Sequence, residues 1–219
     1  MVDWDKYPDL VRMWETRGAR FACHERLSKT NIWTNYAIAT GSAYVILLSL
    51  IGILNLNIFS SEDYKVINIL SIIISVALIF LSLIEGGKNL VAHAEAMHSC
   101  AREISVIYHE AEAALKNEKG EGTANLIEFV RKYDAAIDKY KFNHDPLDFL
   151  VFKAGKRKIY TDLSNEDVKT IDGRRWRAIY GSFFMVLCGV PALVFVVWFI
   201  GVVAPILKRL VAAHCPALG

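Results

Sequence analysis

Polar and apolar positions are sharply partitioned along this chain. Three stretches hold no Asp, Glu, Lys or Arg: Thr30–Ser61, of 32 residues, Val66–Ile84, of 19, and Ala178–Leu207, of 30. A helix needs about 20 apolar residues to cross a hydrocarbon core about 30 Å thick. Each run therefore predicts a membrane-spanning helix, the second only just long enough. Beyond the second run the pattern becomes a seam. Leu90, Ala94, Met97, Ala101, Ile104, Tyr108, Ala111 and Leu115 alternate steps of four and three, a heptad repeat that marks one helix face for burial. No Pro separates the seam from the second run, and Gly86-Gly87 is the only weak point, so the pattern predicts one continuous helix from about Val66 to Asn117. After the break at Lys119-Gly120-Glu121-Gly122, Thr123 reads as the cap of a second helix. Its apolar face is Leu126, Phe129, Val130, Tyr133, Ile137 and Tyr140, and it is short enough to fold back on the seam. Asp9–Leu27 predicts a helix leading into the first run. Asp145 before Pro146, with Asp148 in the first turn, reads as the capped start of a short helix, and Ser164–Asp167 as another.

The expected fold is all-α: an integral membrane protein whose two core transmembrane helices extend into a cytoplasmic helical bundle, with a C-terminal transmembrane helix added. Its segments are a cytoplasmic helical stretch at 1–31, a transmembrane hairpin at 32–84 with spans at about 34–58 and 66–84, a cytoplasmic helical region at 85–177, a third span at 178–207 and a tail at 208–219. Gly189-Val190-Pro191 leaves two readings of the third run open, a single bent crossing or a re-entrant hairpin. Composition sharpens this picture. The chain is 54% hydrophobic, with every charged residue outside the three runs, which excludes a uniform soluble globule and a disordered chain. Four scattered Cys fit reduced thiols better than a disulfide framework. A net charge of +2 argues against direct nucleic-acid binding. Six Lys and Arg precede the first run, sixteen lie in 85–177, and one lies in the Ser60–Lys65 turn. Positive charge stays inside, so the N-terminus and the long middle region are expected in the cytoplasm. The acidic, helical stretch before the first run is unlike a cleavable signal peptide, and a retained anchor is expected.

Within the second run, Asn68, Ser75, Ser82 and Asn89 recur at intervals of seven, and Ser71 and Glu85 share their face. A polar line on a helix otherwise rich in Ile, Leu, Val and Phe is not made for lipid. It reads either as the lining of a pore built by several copies, with Glu85 at the cytoplasmic mouth biasing it towards cations, or as hydrogen-bonding glue between packed helices. The seam through Leu90, Ala94, Met97, Ala101, Ile104 and Tyr108 is the candidate contact for a homo-oligomer. Arg174, Arg175 and Arg177 form a basic collar before the third run, suited to anionic membrane lipid and leaving room for a nucleotide ligand.

Catalytic motifs do not emerge. His93 and His98 are five apart, about 140° round a helix, where a zincin needs four. His93-x-Glu95 lacks the Pro-Cys-x-x-Cys of a deaminase. Cys23-His24 and His98-x-Cys100 lack the paired close spacings of a zinc site. No catalytic residue, metal ligand or cofactor is assigned, and an enzyme is not expected. His144 reads as a packing group or a pH sensor.

The order of the remaining motifs is informative. Arg17-x-x-Arg20-Phe21 and Arg26-Leu27 run into the first span, and a tight outside turn and the second span follow. Then come His98-x-Cys100 and Glu103-Ile104 on a long helix, and Asn143-His144-Asp145-x-x-Asp148-Phe149. In this order, over roughly residues 15–155, the chain resembles the SLATT proteins, the SMODS and SLOG-associating two-transmembrane effectors of bacterial conflict systems. The third span lies beyond that core as a C-terminal extension. The resemblance implies a multi-pass effector of the bacterial inner membrane, acting in anti-phage defence. A sensor partner, such as a nucleotide second-messenger synthetase or a reverse transcriptase, would trigger it to breach the membrane as an oligomeric pore. This implication favours the pore reading of the stripe. The alternative is a non-conducting membrane scaffold that recruits a soluble sensor or effector. The resemblance brings no catalytic motif.

Overall fold

A computed structural model describes residues 6–54, 61–117 and 123–214. The elements are α1 (Pro8–Leu54), α2 (Ser61–Gly87), α3 (Leu90–Asn117), α4 (Thr123–Asp138), α5 (Pro146–Ala154) and α6 (Asn165–His214), with no strand among the described residues. Three helices are long and apolar enough to cross a membrane, and the chain is a membrane protein. The expected break at 119–122, the turn residues up to Ser60 and the tail after residue 214 lie outside the described residues.

Local chemistry explains where the helices start. Pro8 opens α1, where its missing N–H costs nothing. Asp145 caps α5 by accepting from the Leu147 N–H, and Asp148 returns the bond to the Asp145 N–H, a reciprocal capping box with Pro146 in the first turn. Ser164 and Asp167 make the same exchange at the start of α6.

The chain divides into two compact units, Met1–Ile32 with Asn89–Ile179 and Trp33–Lys88 with Tyr180–Gly219. Both α1 and α6 supply residues to both. In the first unit, Leu10, Met13, Cys23 and Leu27 make the apolar face of α1. Cys23 and Leu27 pack with Leu90, Ala94 and Met97 of α3. Met13 joins Cys100, Ile104 and Ile107 of α3 and Tyr133 and Ala136 of α4. The apolar face of α4 is thus folded back on the seam helix, as its periodicity predicts. In the second unit small residues let the helices approach. A Cβ on Gly41 of α1 would lie 2.6 Å from Leu78 Cδ2 of α2 and 3.3 Å from Val186 Cγ1 of α6. Ile69, Ile72, Ile73, Val76, Phe80 and Leu83 of α2 point outward, the surface that a lipid environment requires.

Two findings refine the sequence reading. The single helix expected from Val66 to Asn117 is interrupted at Lys88-Asn89, because Asn89 adopts φ 46°. That left-handed conformation ends a helix, and Asn tolerates it better than most residues. The Lys88 N–H falls back on the Glu85 carbonyl at 3.2 Å. The other finding concerns the third run. It lies in one unbroken helix through Gly189-Val190-Pro191 and forms no hairpin.

Candidate functional site

The polar stripe divides once it is placed on α2. Ser71 is buried in the second unit, and its hydroxyl donates to the Asn68 carbonyl at 2.8 Å. Asn68 meets α1 at Gly52, where a Cβ would collide with its side-chain amide. Ser75 donates to the Ser71 carbonyl at 2.6 Å. Ser75 and Ser82, with Ser42 of α1, line an open cleft of about 380 Å³ whose other walls are Ile38, Val45, Ile46, Leu78 and Ile79. Glu85 is only 12% exposed in its side chain and is held by Lys88 Nζ at 2.6 Å, so its charge is balanced within the unit. Asn89 stands apart from the others. It lies in the turn after α2 and is exposed, so it does not extend the stripe.

The seam is placed differently from its expected role. Ala94, Met97, Ala101 and Ile104 are buried within the chain, with Leu90 and Tyr108 packed beside them. Periodicity marks a face for burial but does not say against what. Here α1 and α4 cover it, and self-association through this face would have to displace one of them. The collar is split in a similar way. Arg175 pairs with Glu25 of α1 at 2.8 Å, while Arg174 and Arg177 are exposed.

The densest chemistry lies in the first unit, where the spaced motifs converge. Arg17 lies over the Tyr108 ring at 4.8 Å and reaches Ser105 Oγ at 3.4 Å. Arg26 grips Asp148 through two bonds, Nε to Oδ1 at 2.6 Å and Nη2 to Oδ2 at 2.8 Å. The pair's side chains are 17% and 1% exposed, a planar fork meeting a carboxylate away from solvent. The Asp148 hydrogen bond, more than its charge, raises the Arg26 pKa further. Burial and the nearby Asp148 push the Cys23 thiol up to about 12, and burial also raises Cys100. Thiols held protonated are poor nucleophiles. Glu103 of α3 accepts from Lys139 Nζ at 2.9 Å and from the Tyr140 hydroxyl at 3.1 Å.

Histidines gather in the same unit. His24 and His98 approach to 4.6 Å between ring centroids, and Phe21 lies edge-on to His98 at 5.8 Å. His24 Nδ1 contacts the Ala94 carbonyl at 3.0 Å. Among the described residues no three His, Cys, Asp or Glu gather closely enough to hold a metal ion. Burial, and then the charge of Arg20, lower the His144 pKa. Sequence reasoning placed Asp148 as a helix-start charge and missed its pairing with Arg26. No local signal ties the two, which lie 122 residues apart.

No curated protein and no solved structure matches this chain. The model of the SMODS and SLOG-associating 2TM effector domain family 5 does match, over residues 9–204. It reaches past the motif-bearing stretch into the third long helix, and with nearly the whole chain aligned the protein belongs to that family.

Proposed function

We propose that the chain is a homo-oligomeric effector that permeabilises the bacterial inner membrane in anti-phage defence when a sensor partner triggers it. Membership of a two-transmembrane effector family supports the defence role, and the SMODS and SLOG association in the family's description supports a sensor partner. That partner would be a protein such as a nucleotide second-messenger synthetase or a reverse transcriptase. The family is a membrane effector domain and not a known enzyme family. The observation that carries the permeabilising step is the serine-lined cleft of the second unit. One chain offers one wall of a water path. Several copies turned towards a common axis would enclose it. The distribution of Lys and Arg supports a cytoplasmic N-terminus, and the exposed Arg174 and Arg177 suit anionic headgroups.

The test is a double substitution, Ser75→Leu with Ser82→Leu. It should leave insertion intact and abolish dye influx and toxicity on overexpression. Equal permeabilisation by the double variant would place the path elsewhere. One observation favours the non-conducting scaffold instead: Ser42, Ser71 and Ser75 all donate to carbonyls of their own helix, so they do not require water. Purified protein in dye-loaded liposomes separates the readings, because a scaffold releases nothing.

A further inference from the structure

Arg20 stands out among the charged side chains of the first unit. It is 2% exposed, yet its Nε–H meets no acceptor, its Nη1–H reaches the Phe142 carbonyl at a long 3.5 Å, and its contact with Cys100 is to a neutral thiol. Its neighbours on α1 are accounted for: Arg17 stacks on Tyr108 and Arg26 is bound by Asp148. The carboxylates nearby are engaged elsewhere, Asp148 with Arg26, Glu103 with Lys139 and Asp145 with the Leu147 N–H. A guanidinium keeps its charge at any ordinary pH, and a buried charge calls for an opposite one. Water would satisfy the N–H groups but would not neutralise them.

Two imidazoles lie at the segment that holds Phe142, one packed against it and one within it. His144, whose titration feels the Arg20 charge, has a buried Nδ1 without a partner. The ring of Phe142 lies over His93 at 4.3 Å, and His93 has a buried Nε2 without a partner. These groups come from three places, Arg20 on α1, His93 on α3 and His144 in the segment between α4 and α5. That segment, from Lys139 to Asp145, has no regular structure, and Phe142 is 43% exposed. It forms a strap that closes over Arg20 through the Phe142 carbonyl.

We propose that Arg20, His93 and His144 form a recessed oxyanion site beneath this strap, and that its ligand is a phosphoryl group. A guanidinium binds oxyanions through fixed parallel donors. A terminal phosphoryl offers three oxygens, one for Arg20 and one for each imidazole, whereas a carboxylate offers two. Entry requires the Phe142 carbonyl to give up its bond to Arg20, so occupancy moves the strap. The proposal does not depend on the pore reading, because its test measures binding and not conductance.

The full chain is purified in detergent and its thermal unfolding followed with inorganic phosphate, with a nucleoside monophosphate and with short-chain phosphatidic acid, each against sodium chloride of equal ionic strength. At least one phosphoryl source should raise the melting temperature, and acetate should not. If phosphatidic acid alone acts, the source is a lipid headgroup; if the soluble phosphates act, it is a free phosphoryl compound. Arg20→Lys keeps the charge but loses the fork, and should weaken the apparent affinity about tenfold or more. His144→Gln, which leaves Arg20 in place, should weaken it less. A fluorophore on Asn143→Cys, in a chain with Cys188 and Cys215 replaced by Ser, should report the strap's movement on binding. The proposal is overturned by equal shifts in wild type and both variants, by an acetate shift that matches phosphate, or by no shift with any source.

Discussion

The two units hold themselves together with different chemistry. In the first, polar groups bridge distant parts of the chain. Arg26 meets Asp148 and Arg12 meets Asp134, each across 122 residues, and Thr16 meets the Tyr133 hydroxyl across 117. In the second, hydroxyls turn inward on their own helices, from Ser42 to Ile38 and from Ser75 to Ser71, four residues back. Its helix-to-helix definition comes instead from small residues, as at Gly41 against Leu78 and Val186, with Tyr44 donating to the Leu187 carbonyl at 3.2 Å. Directional bonds select one arrangement of helices. Small-residue packing with few of them admits neighbouring arrangements of similar energy. An effector that stayed closed until triggered, as proposed above, would have use for both.

The largest expected effect lies at Asp148. Asp148→Ala leaves the Arg26 guanidinium largely buried without its counter-charge, and should cost the first unit about 3–5 kcal/mol. Arg26→Met with Asp148→Leu should recover most of that loss. Circular dichroism during heating in detergent should then show two transitions for Asp148→Ala, the first unit melting early. A single transition would mean that the units are not independently stabilised. Next comes Gly41→Val in the second unit, which drives two methyls into Leu78 and Val186. Overpacking of this kind costs about 1–3 kcal/mol, and the loss should appear in the later of the two transitions.

His144 offers a milder probe, specific to the first unit. Burial, then Arg20, lowers its pKa from 6.5, while Asp148 and Asp145 oppose the shift. The folded unit therefore prefers the neutral ring, and protonation favours unfolding. Stability from this group is fully present above about pH 6.5 and declines as the pH falls below it. Melting temperature measured from pH 7.5 down to 5.5 should fall for the wild type, and more shallowly for His144→Gln. Parallel curves would place the acid sensitivity in another group.

Much of this architecture was legible in the chain because the signals are local. The uncharged runs mark the apolar parts of α1, α2 and α6, and Asp145-Pro146 and Ser164 to Asp167 mark the starts of α5 and α6. What escaped is non-local or depends on one dihedral. Nothing in the spacing of Arg26 and Asp148 announces their pairing, since loops and whole helices intervene. The seam announces burial without naming α1 and α4 as its cover. Asn89 breaks a helix that the preceding glycines leave intact, because the left-handed conformation falls on the Asn and not on Gly86 or Gly87. The residues of the stripe are legible as polar, but their hydrogen-bond partners are not.

The smallest substitution bears most directly on that last point. Ser75→Ala removes a hydroxyl whose partner is the Ser71 carbonyl of its own helix, a carbonyl that the helix ladder also engages. The loss should be within about 1 kcal/mol, at the low end for a hydrogen bond, and Ala is a better helix former than Ser. Stability should therefore barely move in the Ser75→Ala protein, whatever the stripe does. Conductance need not follow. If the cleft carries ions, removing a hydroxyl from its wall should lower dye influx while melting stays unchanged, since the hydroxyl oxygen can still accept a bond from water while it donates to Ser71. If influx and melting are both unchanged, the hydroxyl at Ser75 serves only its own backbone, and the second unit's polarity is internal to its helices.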